Sequence, residues 1–229
     1  MKRKIAILGS TGSIGKSTLS IVSKNINDFE IILLSTNRNI KEIDKQCKKF
    51  KPKFVIIKNV DSYKKFLTSN KHNIKVFNSY KDISKLKKKI DYTISAVSGF
   101  DGLEPTLQII PYSKTVAIAN KESLICGWNL IKKKIDKYNT QFVPIDSEHF
   151  SIWSLLKGTK SRVEKIYITA SGGPFLNLNV KNLKNIKPKQ AIKHPKWSMG
   201  KKISVDSATL INKVFELLEA RKIFNLSSN

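Results

Sequence analysis

Residues 5–17 read Ile5-Ala-Ile-Leu-Gly9-Ser-Thr-Gly12-Ser-Ile-Gly15-Lys16-Ser17, an apolar run that enters a glycine-punctuated turn and leaves as a helical pattern. Two phosphate-binding loops compete for this stretch. A P-loop needs a glycine five residues before the Gly-Lys-Ser unit. Counting back from Gly15, that position is Ser10, so the P-loop misses by one residue. The dinucleotide fingerprint is also off, GxxGxxG in place of GxGxxG, but its setting is right. A buried strand enters, a helix leaves, and the glycines let backbone N–H groups approach a pyrophosphate.

Working outward, short apolar runs recur between amphipathic stretches. Strands are predicted at Ile5–Leu8, Glu30–Leu34, Phe54–Ile57, Tyr92–Ala96, Thr115–Ala119 and Phe142–Ile145. One intervening helix is marked by Leu130, Ile131, Ile135 and Tyr138 among lysines. Buried strands alternating with helices imply an α/β fold, a Rossmann-like doubly wound parallel sheet over residues 1–145. An incomplete α+β domain follows over 146–229. After the second strand, an NAD site would carry an acid for the ribose 2′-hydroxyl. The chain instead reads Ser35-Thr36-Asn37-Arg38-Asn39, with Glu30 at the other end of the strand. Arg38 there suits the 2′-phosphate of NADP, a charge-assisted bond worth about 1.5–3 kcal/mol.

The formal net charge is +26, which raises the question of nucleic acid. Of 43 basic residues only Arg3, Arg38, Arg162 and Arg221 are arginine, and the lysines spread over the whole length. Base-reading surfaces favour arginine forks, so a solvated lysine surface is the better reading, with no nucleic-acid partner. Cys47 and Cys126 form no CxxC pattern and fit reduced thiols in the cytoplasm. No run of 18 apolar residues occurs, and Met1–Lys4 runs straight into the first strand, so neither a transmembrane helix nor a targeting peptide is expected. No membrane partner is expected.

Two later segments carry carboxylates and phosphate-sized donor sets. In Pro144-Ile-Asp146-Ser147-Glu148-His149, Asp146 and Glu148 share one side if the backbone stays extended. Their hard oxygens suit Mg²⁺ or Mn²⁺ rather than zinc, although Asp and Ser at a helix start also serve as a plain cap. In Ser204-Val-Asp-Ser207-Ala-Thr-Leu-Ile-Asn212-Lys213-Val-Phe-Glu216, a helix is expected from about Asp206. Leu210, Val214, Leu217, Leu218 and Ala220 would form its apolar side. Lys213 and Glu216 there are either a surface i,i+3 pair or a phosphate donor beside a metal carboxylate. An apolar strand at Val163–Ile168 is expected to end in Thr169-Ala-Ser171-Gly-Gly-Pro174, where Ser171 could bond a phosphate oxygen. The stretch 193–201, Lys-His-Pro-Lys-Trp-Ser-Met-Gly-Lys, reads as a lid carrying Trp197 and Met199, or as a loop pinned by Trp197. Ala119-Asn120-Lys121-Glu122-Ser123 follows an apolar strand. It would border the ligand crevice, Lys121 toward an anionic substrate, Asn120 and Glu122 toward the cofactor.

Taken in order and spacing, Gly9–Gly15, Ala119–Ser123, Pro144–His149, Ala170–Phe175, His194–Gly200 and Ser204–Glu216 resemble the 1-deoxy-D-xylulose 5-phosphate reductoisomerase family. The resemblance implies NADPH contacts at Thr11, Gly12, Ser13, Ile14, Asn37, Arg38, Asn39, Asn120 and Gly200. It implies Mn²⁺, Mg²⁺ or Co²⁺ on Asp146, Glu148 and Glu216. Substrate contacts would come from Lys121, Ser147, Glu148, Ser171, His194, Ser207, Asn212, Lys213 and Glu216, with catalytic roles for Lys121, Glu148 and His194. The implied reaction isomerises and reduces 1-deoxy-D-xylulose 5-phosphate, a small phosphorylated sugar, to 2-C-methyl-D-erythritol 4-phosphate for isoprenoid precursors. The resemblance further implies a homodimer and a chain that continues well past residue 229, so this one is expected to be a fragment, inactive if the remainder is indispensable. Two rivals remain, a metal-independent NADP oxidoreductase acting on an aldehyde or semialdehyde and a basic nucleic-acid-binding module.

Overall fold

The computed structural model describes residues 1–69, 73–86, 89–159, 163–196 and 200–226. The chain divides into two compact units, Met1–Phe150 and Ser151–Asn229. The first holds a parallel sheet in the order β4-β3-β2-β1-β5-β6-β7. Its strands are β1 (Arg3–Leu8), β2 (Phe29–Thr36), β3 (Phe54–Ile57), β4 (Lys75–Phe77), β5 (Ile90–Ser95), β6 (Ser113–Ile118) and β7 (Gln141–Pro144). Its helices are α1 (Ser13–Lys24), α2 (Ile40–Phe50), α3 (Val60–Ser69), α4 (Leu103–Ile109) and α5 (Lys121–Tyr138), with 3₁₀ turns at Tyr80–Lys85, Phe100–Gly102 and Ile110–Tyr112. All six expected strands of this unit are present. β4 was not foreseen: a strand of three residues is too short for a periodic signal.

The strands read as apolar runs because both faces of the sheet are covered. On one face Ile5, Ile7, Leu19, Val22, Ile43, Val55, Ile57 and Phe66 pack into one core. Cys47 lies in the same cluster, where burial, with a smaller contribution from Asp44, pushes its thiol up to about 12. Cys126 is exposed. A thiolate-directed reagent at neutral pH is therefore expected to modify Cys126 in the folded chain and Cys47 only after denaturation. Rapid modification of both thiols in a native titration would contradict this packing.

The chain lays β2, β3 and β4 to one side of β1, then returns with β5 on the other side. That reversal between β1 and β5 opens a crevice beyond the carboxyl ends of the strands.

The helix α6 (Ser147–Leu156) begins in the first unit and ends in the second. The second unit then carries a 3₁₀ turn at Val180–Asn185, α7 (Pro188–Ala191), α8 (Lys201–Ala208) and α9 (Ile211–Phe224). Three expectations are corrected here. Val163–Ile168 is not a strand, because no described segment takes up its backbone hydrogen bonds. The single helix expected from Asp206 is two helices, broken where Leu210 adopts a left-handed φ of 60°. Nor is the apolar side of α9 buried: Leu210, Val214, Leu217 and Leu218 are exposed, while Glu216, Glu219 and Ala220 are buried. A helix hides its apolar side only where a neighbour offers apolar surface, and among the described residues none covers this one.

Candidate functional site

The glycine turn is shaped by backbone contacts. Gly9 has φ +80°, and a Cβ there would lie 2.7 Å from the Ala96 carbonyl oxygen. Gly15 has a negative φ, but its Cβ would sit 2.5 Å from the Gly9 carbonyl oxygen, so only glycine lets α1 pack this closely on the turn. The loop is braced from below. The Ser35 hydroxyl accepts from Gly9 N–H at 2.9 Å, the buried Gln46 amide donates to the Ser10 carbonyl at 3.0 Å, and the Ser10 hydroxyl donates to Gln46 at 2.7 Å. Gly12 caps α1 without a side-chain acceptor, which leaves the first N–H groups of the helix for an anion.

The crevice above this turn has a volume of about 720 Å³. Thr11, Gly12 and Asn37, three of the residues expected at the cofactor, line it. Ser13 and Ile14 form the first turn of α1, and Arg38 and Asn39 continue the exposed loop from Asn37. Asn39 has a structural duty as well, capping α2 by accepting from Glu42 N–H at 3.1 Å. Sequence reasoning missed Lys58, Tyr80, Phe100 and Leu103, which also line the crevice. Lys58 follows β3 at its carboxyl end, so the strand-end rule that selected Lys121 would have found it too. Its backbone N–H donates to the Thr36 carbonyl at 3.0 Å and its ammonium lies 3.6 Å from Glu104. Tyr80 owes its burial to the sheet, with its hydroxyl 3.4 Å from that of Ser35.

Asn120 is buried rather than open to the crevice. It caps α5, accepting from Ser123 N–H at 2.5 Å and donating to the Val97 and Gly99 carbonyls. Lys121 is not a surface lysine: 7% exposed, it places its ammonium 2.9 Å from Asp146. The chain reaches Asp146 just after β7 and starts α6 at Ser147, so the carboxyl ends of β6 and β7 bring these groups together. An oxygen of Asp146 lies within 4.8 Å of one of Glu148. Burial pushes the Asp146 carboxyl above the usual carboxylate range. Lys121 pulls it back, and a hydrogen bond with Glu148 pushes it up again. The Ser147 hydroxyl donates to Glu148 at 2.5 Å.

In the second unit Gly172 and Gly173 both take positive φ, and a Cβ on Gly173 would meet the Ser207 carbonyl oxygen at 2.7 Å. The Ser171 loop thus lies against the end of α8, which carries Ser207. The His194 Nδ1 accepts from Lys196 N–H at 3.2 Å, so its proton sits on Nε2, 3.0 Å from the Ser171 hydroxyl. That leaves the Ser171 hydroxyl hydrogen for another acceptor. On the first turns of α9, Asn212 donates to Glu216 at 2.5 Å and Lys213 pairs with the same carboxylate. Glu216 is 2% exposed, so this is no solvated surface pair. Gly200 precedes α8. Trp197 and Met199 of the expected lid lie outside the described residues.

The family model for 1-deoxy-D-xylulose 5-phosphate reductoisomerase matches residues 5–127, and the model for the C-terminal domain of that enzyme matches residues 142–224. A reductoisomerase of that name from Pelagibacter ubique (strain HTCC1062) is 58% identical over 98% of this chain and 59% of its own length. One from the Wolbachia of Drosophila simulans is 41% identical over 98% of this chain and 58% of its own. Among solved structures, the Zymomonas mobilis reductoisomerase in complex with NADPH superposes with a TM-score of 0.88 at 33% identity, over 99% of this chain and 59% of that one. A reductoisomerase in complex with NADPH, fosmidomycin and magnesium gives 0.87 at 33% identity, over 98% and 59%. The chain thus spans less than two thirds of the length of these relatives.

Proposed function

Because the chain belongs to the 1-deoxy-D-xylulose 5-phosphate reductoisomerase family, we propose that it carries the NADPH- and metal-binding parts of an enzyme converting 1-deoxy-D-xylulose 5-phosphate to 2-C-methyl-D-erythritol 4-phosphate. The observation that carries this reading is the buried Lys121–Asp146 pair with Glu148 beside it, at the strand ends of a sheet whose switch point bears a dinucleotide turn.

Residues 1–145 serve the cofactor. The N–H groups of Ser13 and Ile14, at the start of α1, hold the pyrophosphate, with Thr11 and Gly12 against it on the crevice wall. Arg38 takes the 2′-phosphate, with Lys58 as a second cation on the neighbouring loop. Its bond to Glu104, between groups about half exposed, is worth at most about 1 kcal/mol and yields readily to a dianion. NADPH, when bound, supplies the hydride.

Residues 146–229 begin the catalytic part. Asp146, Glu148 and Glu216 would hold Mg²⁺, with Mn²⁺ and Co²⁺ as further candidates, since two carboxylates this close in a buried setting favour a hard cation or a shared proton. The ion, when bound, supplies Lewis-acid polarisation of the substrate's carbonyl. Lys121 orients Asp146 and holds its charge. Ser171, Ser207, Asn212 and Lys213 anchor the substrate phosphate, His194 sets the direction of the Ser171 hydroxyl, and Ser147 positions Glu148. The longer protein would act as a homodimer.

The test follows NADPH absorbance with 1-deoxy-D-xylulose 5-phosphate and Mg²⁺, using the 229-residue chain. Substrate-dependent loss of absorbance that stops on adding EDTA is expected. Turnover that survives EDTA would eliminate the metal assignment, and NADPH binding without turnover would overturn the activity for this chain. Arg38→Gln should weaken NADPH binding roughly tenfold to hundredfold and leave NADH unchanged. Equal losses for both cofactors would remove Arg38 from the 2′-phosphate.

A further inference from the structure

A second cavity lies in the first unit at the opposite edge of the sheet. Its volume is about 380 Å³, and its lining is Lys4, Ile32, Lys53, Phe54, Lys75, Phe77, Lys85 and Leu86. None of these residues lines the dinucleotide crevice. Lys4 and Lys75 sit at the amino-terminal ends of β1 and β4, and Lys53 just precedes β3, whereas the crevice is built on carboxyl ends.

The cavity has a structural cause. Val55 and Ile57 belong to the core on one face of the sheet, so Phe54 and its β4 partner Lys75 point to the other face. Phe77, two residues beyond Lys75, shares that face. The crossover from β4 to β5 contains a single described element, the 3₁₀ turn Tyr80–Lys85, too short to cover what a full helix would. Tyr80 closes the carboxyl end of the face, beside Ser35. The amino-terminal half stays open as a pocket walled by Lys85 and Leu86.

The chemistry of this pocket is two-sided. Phe54 and Phe77 stack at 5.8 Å between ring centroids with Ile32 alongside, which makes an apolar floor. Four of the eight lining residues are lysine, against 43 basic residues among 229 in the chain, so the rim is richer in cations than the chain as a whole. Lys53 and Lys85 are balanced by Glu30 and Asp82, each at 2.6 Å, and Lys85 also lies 4.8 Å above the Phe77 ring. Lys75 makes no ion pair among the described residues. Its positive charge, set over an aromatic floor, is complementary to an anion with an apolar body. No arginine lines the pocket, and its volume is that of a small-ligand site.

We propose that this pocket binds a small amphipathic anion, a one- or two-ring aromatic or short acyl body bearing a carboxylate, sulfonate or phosphate. The apolar part rests on Phe54 and Phe77, and the acidic group meets Lys75 with Lys4 and Lys85 beside it. The site does not depend on the cofactor reading, since it shares no residue with the crevice.

The experiment titrates the 229-residue chain with 8-anilinonaphthalene-1-sulfonate, followed by fluorescence, beside its uncharged analogue N-phenyl-1-naphthylamine. Saturable binding of one sulfonate per chain, undiminished by excess NADPH, is expected. Lys75→Glu reverses a charge on an edge strand without touching the core, and it should weaken sulfonate binding about tenfold while leaving the neutral analogue alone. Lys85→Gln should act in the same direction, and circular dichroism confirms that both variants stay folded. Displacement by NADPH would place the dye in the crevice and overturn the proposal. So would an affinity unchanged by both lysine variants, which would place the dye on the open side of α9.

Discussion

Gly15→Ala is expected to melt roughly 5–10 °C below the parent chain and to lose measurable NADPH binding. The added Cβ would lie 2.5 Å from the Gly9 carbonyl oxygen and 2.5 Å from the Ser10 Cα, both backbone atoms of a loop braced by Ser35 and Gln46. A flexible side chain could move aside, but this loop cannot without surrendering its hydrogen bonds. Overpacking of this kind costs about 2–3 kcal/mol, and the displaced N–H groups no longer converge on a pyrophosphate. Gly12→Ala is the matched control. Its Cβ would meet only the Gly9 oxygen, at 3.4 Å, and its φ is −78°. Thermal stability should therefore hold while cofactor binding weakens, because the methyl group intrudes on the ligand's side of the turn. Equal melting temperatures for Gly15→Ala and the parent would show that α1 does not pack on the turn as described.

Lys121→Met should cost about 3–5 kcal/mol in chemical denaturation and eliminate turnover. The ammonium is buried against Asp146, whose own side chain is 13% exposed, so its removal strands a carboxylate that already contends with Glu148. Adding Asp146→Asn should recover much of the stability, with a coupling of roughly 1–3 kcal/mol between the two sites, but none of the activity. Lys132→Met offers the comparison. Its partner Asp136 is one turn along the same helix and both are solvated, so the loss should stay below about 0.5 kcal/mol. If the two lysine variants unfolded at the same denaturant concentration, Lys121 would be another surface lysine, as its abundance in this chain suggests.

The fold of the first unit was legible because its signals are local. Apolar runs such as Phe54–Ile57 and the glycines at 9, 12 and 15 report on neighbours within a few residues, and they located six of the strands and the turn between β1 and α1. The reading went wrong where the outcome depends on a distant neighbour. Val163–Ile168 has the composition of a strand but no partner to hydrogen-bond with among the described residues. The leucines of α9 have the spacing of a buried stripe but face solvent. Leu210 breaks a continuous helical pattern by turning left-handed, which composition does not announce.

Periodicity and turn chemistry therefore determined, from sequence alone, that this is a parallel α/β sheet with a glycine-shaped turn between β1 and α1, since backbone preference and side-chain alternation act over one or two turns of chain. The tertiary structure alone decided which charges are buried, that Lys121 meets Asp146 from 25 positions away, and that the short β4–β5 crossover leaves a lysine-rimmed pocket. Desolvation and pairing depend on what lies across the sheet, and no local pattern encodes that distance.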